Sequence, residues 1–234
     1  MSKKKIAIQG ELGAYSHIAA ENLYKDSEIK TCTTFEETFK KAYNDPSYKI
    51  VIPIENSLAG RVADIHYLLP KYKLQIHGEY FLQVEHNLLG KPEATINDIK
   101  YVRSHAQAIS QCQKIITKNN FKTIISVDTA GSAKDLSQGK DKSIAAIASD
   151  LSAKMYNLKI LQKNIEDDKG NVTRFLIMGK NIEQPDYDKN KKYITSCIFR
   201  VKSEPSALYK CLGGFATNQV NLTKLESFSV KNTF

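Results

Sequence analysis

A chain of 234 residues, 41% apolar and 25% charged, can bury a core in one large or two modest domains. Its net charge is +9, but the lysines are spread thinly, with short clusters only at Lys3–Lys5 and Lys189–Lys192. No stripe of arginine and aromatics repeats, which argues against nucleic-acid binding and for a solvated surface whose field can draw in a small anion. No run approaches ~18 apolar residues, so no span of a membrane is expected. The basic start is followed by only a few apolar residues before Gln9 and Gly10, which reads as a first strand, not a signal peptide.

Cys32, Cys112, Cys197 and Cys211 form no CxxC pair, and His17, His66, His77, His86 and His105 have no metal-ligand spacing. The expectation is a cytoplasmic protein with free thiols, no metal and no cofactor.

In chain order, Lys5–Gln9 reads as a strand, and GELGAYS (10–16) as a glycine turn opening a helix at about Ser16–Tyr24, with Tyr15 or Ser16 near the cap. Its two glycines do not make a dinucleotide fingerprint. Ile29–Thr33 is a strand. A helix from Thr34 puts Phe35, Phe39 and Ala42 on one face. Lys49–Pro53 is a buried strand, and IENSLAGRV (54–62) is a polar strand end leading to a helix through Leu69. Leu74–Leu82 and Gln83–Leu89 look extended and are read as crossing between lobes.

Tyr101–Ser104 is a strand, Gln107–Lys118 a helix, and Thr123–Val127 a strand. Ala130–Gln138 is a helix capped by Thr129. Ser143–Ala148 is a strand, Asp150–Tyr156 a helix and Lys159–Leu161 a strand. Val172–Met178 is a return strand that rejoins the first set. Such alternation predicts parallel strands in an α/β architecture of two lobes with a cleft between them. Asn181–Lys192 reads as a linker. Tyr193–Lys202, Ser206–Thr217 and Val220–Phe228 then make a small βαβ unit with two bare edges.

Polar side chains gather at strand ends in three places. Glu55, Asn56 and Ser57 follow one strand; Ser104, His105, Gln107 and Gln111 follow another; Thr173 and Arg174 open the last. Ser104 and Gln111 are seven residues apart, two helical turns, and share a face if the helix starts at once. No nucleophile elbow or phosphate loop occurs, and adjacent Ser104 and His105 do not make a dyad. The site is expected to work through neutral donors, one or two cations and orientation. In the stretch NIEDDKGNVTRFLIM (164–178), Glu166, Asp167 and Asp168 are expected to shape the turn, or to pair with Arg174 and nearby lysines, and not to touch substrate.

Several stretches, in order, carry a resemblance: GELGAYSHIAA (10–20), VIPIENSLAGRV (51–62), HNLLG (86–90), SHAQAISQC (104–112), DTAGSA (128–133), AAIAS (145–149) and NIEDDKGNVTRFL (164–176). Together they resemble the prephenate dehydratase family over Lys5–Gly179. ALYKCLGGFA (207–216) and VNLTKLES (220–227) resemble the ACT regulatory domain.

The resemblance implies two α/β lobes like a type II periplasmic binding protein. Lobe 1 is about 1–78 plus 165–180 and lobe 2 about 79–164. A linker at 181–192 then leads to the N-terminal part of an ACT domain at 193–234. It implies a carbon–oxygen lyase of phenylalanine biosynthesis, in which prephenate loses water and carbon dioxide to give phenylpyruvate. Arogenate, the aminated analogue, stays open as substrate, and so does a non-catalytic two-lobed binder of an amino acid or aromatic acid.

By motif, Thr173 is the residue most tied to activity, with Asn56, Ser104 and Gln111 holding the ring substituents and pyruvyl arm. Arg174, Phe175, Ser57 and Glu55 are placed about the substrate, with Arg174, or a lysine, on a carboxylate. A structural role fits Glu55 better, since a second negative charge repels a dianion. Phenylalanine is the implied effector, at Ala207, Leu208, Asn221, Leu222, Glu226 and Ser227, and a homodimer or homotetramer the implied assembly. The tail departs from the ACT pattern: Ser206 stands before Ala207–Leu208, Phe228–Ser229 follow Glu226–Ser227, and only half of βαββαβ is present.

Overall fold

The computed structural model describes residues 3–62, 65–181 and 186–227. Two compact units divide at Gln184/Pro185. In the first, the chain runs β1 (Lys5–Gln9), α1 (Tyr15–Leu23), β2 (Glu28–Cys32), α2 (Phe35–Asn44), β3 (Tyr48–Asn56), β4 (Gly60–Arg61), α3 (Ile65–Tyr72) and β5 (Gln75–Gln83). It then passes through β6 (Asn87–Gly90), β7 (Tyr101–His105), α4 (Ala106–Ser110), α5 (Gln113–Lys118), β8 (Lys122–Ser126), α6 (Thr129–Gln138), β9 (Ile144–Ala148), α7 (Asp150–Met155) and β10 (Lys159–Gln162). Finally β11 (Val172–Gly179) returns.

Two sheets result, ordered β2-β1-β3-β11-β5, with β4 beside β3, and β10-β6-β9-β7-β8. The expected two-lobed α/β architecture is present, one sheet to each lobe. β5 pairs with β11 from Gln75 to Gln83, with one irregularity at His77, so the first sheet reaches Gln83.

The expectation of parallel strands holds only within the βαβ cores. β1 is parallel to β2 and β3, and β7 to β8 and β9. β11 is antiparallel to β3 and β5, and β6 to β9 and β10. A strand entering straight from a crossing segment has no helical crossover to turn it parallel.

Each sheet of alternating apolar residues needs cover on both faces. On the first, Phe39, Ala42, Ile65 and Leu68 of α2 and α3 pack on Ile50, Ile52, Leu176 and Met178. On the other face Ala19 and Ala20 let α1 lie close against Ile6, Ile8, Val51, Phe175 and Ile177. Thr34 caps α2, accepting from the Glu37 amide at 3.1 Å. The cap of α6 is Asp128, not Thr129: its carboxylate takes the Gly131 amide at 2.6 Å.

The expected single helix 107–118 is two short ones. Asp167 is the cause: its carboxylate accepts from the Gln113 and Lys114 amides at 2.8 and 3.1 Å and starts α5 afresh, leaving Gln111 and Cys112 between. Among the described residues no helix is long and apolar enough to cross a membrane, and no cluster of three metal-ligating side chains occurs. The described cysteines are all free thiols.

In the second unit α8 (Ala207–Thr217) forms as expected, but no strand forms at 193–202 or at 220–227. A strand exists only in a ladder, and a split βαβ unit leaves the place between its two strands for a third. Phe228 lies outside the described residues. Ala207 and Leu208 open α8; Asn221, Leu222, Glu226 and Ser227 lie in irregular chain after it.

Candidate active site

Antiparallel pairing of β3 with β11 sets Asn56 directly opposite Thr173. The Asn56 Nδ2 donates to Thr173 Oγ1 at 2.9 Å and to Asn171 Oδ1 at 2.7 Å. Its Oδ1 accepts from the Leu58 and Ala59 amides at 3.1 and 2.9 Å. Those two backbone donors decide which way the amide faces, so the nitrogen must point at Thr173.

From there the hydrogen bonds cross between lobes. Asn171 Nδ2 donates to Gln111 Oε1 at 2.9 Å, and that same oxygen lies 2.9 Å from His86 Nε2. His86 Nδ1 lies 2.8 Å from the Tyr15 hydroxyl, which also reaches Glu85 O at 2.7 Å. One continuous chain thus joins Thr173 in the first sheet to Gln111 at the end of α4 and back to Tyr15 on α1.

Thr173 is 8% exposed. Asn56 is the hydrogen-bond partner of its oxygen among the described residues, and it is a donor. Among the described hydrogen bonds the hydroxyl proton is therefore uncommitted.

Burial sets the protonation of the remote end. It lowers the His86 pKa below the usual imidazole value, against smaller opposing effects of Gln111 and Glu166. It raises Tyr15 well above the ordinary phenol range, and Cys112 likewise.

The three acids of the return segment hold backbone. Glu166 Oε2 takes the His86 amide at 2.9 Å, Asp167 starts α5, and Asp168 Oδ1 takes the Gly170 amide at 2.7 Å. Asp168 shapes the turn as expected from sequence, whereas Glu166 and Asp167 tie the segment to distant backbone.

Of the residues singled out from sequence, Thr173, Asn56 and Gln111 come together. Ser104 does not share a helix face with Gln111: it lies in β7, fully buried, and its hydroxyl donates to Ile147 O at 2.7 Å. Ser57 is a strand clasp; its hydroxyl donates to Gly170 O at 2.8 Å and accepts from the Val172 amide at 2.9 Å. Glu55 stands in register between Arg174 and Arg61.

Two further expectations are corrected. Phe175 is 1% exposed and belongs to the core beneath α1, so it anchors β11 and does not line the cleft. Arg174 points to the opposite face from Thr173, because side chains alternate along a strand. There its Nε and a terminal nitrogen both meet Glu79 Oε2 at 2.7 Å. Arg174→Met should accordingly lower unfolding free energy by about 1–2 kcal/mol while leaving KM within about threefold. Denaturant unfolding and steady-state kinetics would check this; a rise of KM beyond tenfold would put Arg174 on the substrate after all.

Tyr15, His86 and Asn171 were not singled out as site residues. Each stood in a quoted stretch, but nothing in periodicity or spacing linked positions 15, 86 and 171. Only the crossing of two segments between the lobes brings them together.

Comparison with known proteins gives a consistent result. Residues 6–183 match the family profile described as prephenate dehydratase. A Komagataeibacter europaeus protein named bifunctional N-acyl-homoserine lactone acylase/prephenate dehydratase is 39% identical over 232 residues, covering 98% of this chain and 81% of its own. Arogenate dehydratase/prephenate dehydratase 2 of Arabidopsis thaliana is 39% identical over 226 residues, or 97% of this chain; the chain spans 59% of that relative's length. Among solved structures, a prephenate dehydratase of Arthrobacter aurescens in complex with L-Phe has a TM-score of 0.83 at 24% identity, covering 96% of this chain and 76% of that one.

Proposed function

This chain belongs to the prephenate dehydratase family, and from that premise we propose that its cleft turns prephenate into phenylpyruvate, water and carbon dioxide. The ring carboxylate leaves as carbon dioxide, and its bonding electrons enter the ring. The ring C–O bond breaks, and the departing hydroxide takes one proton to become water. Aromatisation drives the sequence, so the protein has to place the substrate and help the hydroxide leave.

The observation that carries this proposal is the polarity at Thr173. Its oxygen accepts from Asn56, so its proton is free to point at the leaving oxygen. Such a fixed donor stabilises charge that develops only in the transition state. With Arg174 held on the far face by Glu79, the substrate carboxylates must be met by other groups of the cleft.

Arogenate is the second substrate to consider, because the Arabidopsis relative carries both names. The acylase activity in the Komagataeibacter name is not proposed at Thr173. An attacking hydroxyl needs a base at its proton, and here the neighbour of the oxygen is a donor.

The test is direct. Purified protein given prephenate should release phenylpyruvate, read by its ultraviolet absorbance against an enzyme-free blank. The expected preference is kcat/KM at least about tenfold higher for prephenate than for arogenate. No turnover of either would end the proposal, and a reversed ratio would reassign the substrate. Phenylalanine feedback and self-association through 193–234 are proposed on the ACT resemblance alone, to be read by calorimetric titration with phenylalanine and by sedimentation.

A further inference from the structure

We propose that His86, held by Tyr15 with its proton on Nε2, is a positioning residue that sets the direction of the Gln111–Asn171–Asn56 amide chain and so turns the Thr173 proton towards the substrate. The inference rests on the dehydratase reading above and deepens it.

Each link has one polarity that works. The Leu58 and Ala59 amides fix Asn56 Oδ1, so Asn56 Nδ2 faces Asn171. Asn171 must then present Oδ1 to Asn56 and Nδ2 to Gln111. Gln111 must present Oε1 to both Asn171 Nδ2 and His86 Nε2. An oxygen in that position requires a proton on Nε2.

The opposite tautomer propagates as a string of conflicts. A bare Nε2 against Gln111 Oε1 repels, so Gln111 would flip. Its amino group would then face that of Asn171, which would flip in turn, and Asn56 after it. The flipped Asn56 would abandon two backbone amides and offer its oxygen to Thr173. That oxygen would draw the Thr173 proton inward, away from the leaving group. Tautomer and active-site donor are thus two ends of one arrangement, though no single hydrogen bond joins them.

Tyr15 makes the arrangement tolerant of charge. Its hydroxyl is within hydrogen-bond distance of two acceptors, His86 Nδ1 and Glu85 O. A phenol has one proton, so when His86 is neutral and Nδ1 bare, that proton goes to Nδ1 and Glu85 O loses its donor. This is the cost that the Gln111–Asn171–Asn56 chain, which needs the proton on Nε2, has to outweigh. When His86 takes a second proton, Nδ1–H donates to the phenol oxygen and the phenol turns its proton to Glu85 O. Nε2 keeps its proton throughout. Glu85, Glu166 and the Cys112 thiol are the other titratable groups acting on Tyr15 or His86, and Asp150 acts on Tyr15. His86 itself is 2% exposed, so bulk water does not supply a competing partner.

Two measurements test the inference. Long-range proton–nitrogen spectra of the wild-type protein, with nitrogen-15 histidine, report the tautomer of each ring without any substrate. The His86 signals, identified by their loss in His86→Gln, should show a protonated Nε2 and a bare Nδ1 at pH 8. A proton on Nδ1 alone would overturn the proposal.

Kinetics supply the second. Tyr15→Phe removes the donor to Nδ1, and His86→Leu removes the donor to Gln111. Each should lower kcat on the order of 10-fold to 100-fold with KM within about twofold, as expected for a misdirected group rather than a lost binding interaction. His86→Gln can still offer an N–H to Gln111 and should recover part of kcat. Wild-type kcat in both Tyr15→Phe and His86→Leu would overturn the proposal. Should those variants fail to fold, the wild-type spectrum decides alone. Absence of phenylpyruvate from the wild-type enzyme would instead remove the dehydratase reading and leave the tautomer result standing.

Discussion

Thr173→Ala should lower kcat by about 10²-fold to 10³-fold, the usual loss when one fixed donor to a developing oxyanion is removed. The side chain is small and sits at the strand mouth, so the fold should survive and the melting curve should barely move. Thr173→Ser keeps the hydroxyl and should stay within about tenfold of wild type. A sharper probe is Asn56→Asp, which changes one NH₂ to oxygen with almost no change in shape. The Leu58 and Ala59 amides would still be accepted, but Asn171 Oδ1 and Thr173 Oγ1 would each face an acceptor. The Thr173 proton would be drawn into the introduced carboxylate, and the added charge would repel a dianionic substrate. Turnover should fall at least as far as in Thr173→Ala. Protonating the carboxyl restores one donor, so residual activity should climb as pH falls, a trend absent from the wild type. Steady-state rates from pH 5 to 8 would show it. Turnover within threefold of wild type in Thr173→Ala would exclude the hydroxyl from the chemistry.

Sequence pattern made the scaffold legible because it is local. Strands such as Lys5–Gln9 and the apolar face Phe35, Phe39, Ala42 follow from periods of two and 3.6. The site was legible only in part, and for a physical reason. Asn56 and Thr173 flank strand ends, where polar residues interrupt apolar runs and stand out. Gln111 was reached through a helix that does not exist as one piece. Asp167, more than fifty residues further on, restarts the helix through its carboxylate, and no local signal reports that. The family motif that carries Thr173 places Arg174 and Phe175 on the substrate with it. In a strand adjacency means opposite faces, so one neighbour meets Glu79, while Phe175, on the Thr173 side, lies deeper along the strand in the core. His86 stands between Glu85 and Asn87 and Tyr15 beside Ser16 and His17, so neither stands out locally, and their partnership is made wholly by tertiary structure. The missing strands of the second unit have the same origin. Propensity made 193–202 and 220–227 extended, but a ladder needs a partner that propensity does not supply.

The glycine turn before α1 gives the second large effect. Gly13→Ala should cost about 2–4 kcal/mol of stability, the sum of backbone strain and a steric conflict. Gly13 has φ +90°, where a side chain is strained wherever it points. A Cβ there would also meet Ser152 Oγ at 2.6 Å and Ser152 Cα at 2.8 Å. The approach is this close because the loop is where the two lobes join. Gly13 O accepts from the hydroxyls of Ser149 at 2.6 Å and Ser152 at 3.0 Å, and Leu12 O from the Tyr156 hydroxyl at 2.8 Å. Lys134 adds an ion pair to Glu11 at 3.0 Å, though both are well exposed and it contributes little. Gly10 is the internal control. It has φ +99°, but its nearest neighbour to a Cβ is 3.7 Å away, so Gly10→Ala should show strain alone, about 1–2 kcal/mol. At roughly 2–4 °C per kcal/mol for a domain of this size, the two variants should differ in Tm by several degrees. Adding Ser152→Gly to Gly13→Ala removes the clash with the hydroxyl but leaves the one with the backbone of residue 152, and the strain, so it should return only part of the loss. Equal melting temperatures for Gly10→Ala and Gly13→Ala would mean that the lobes do not meet at this loop.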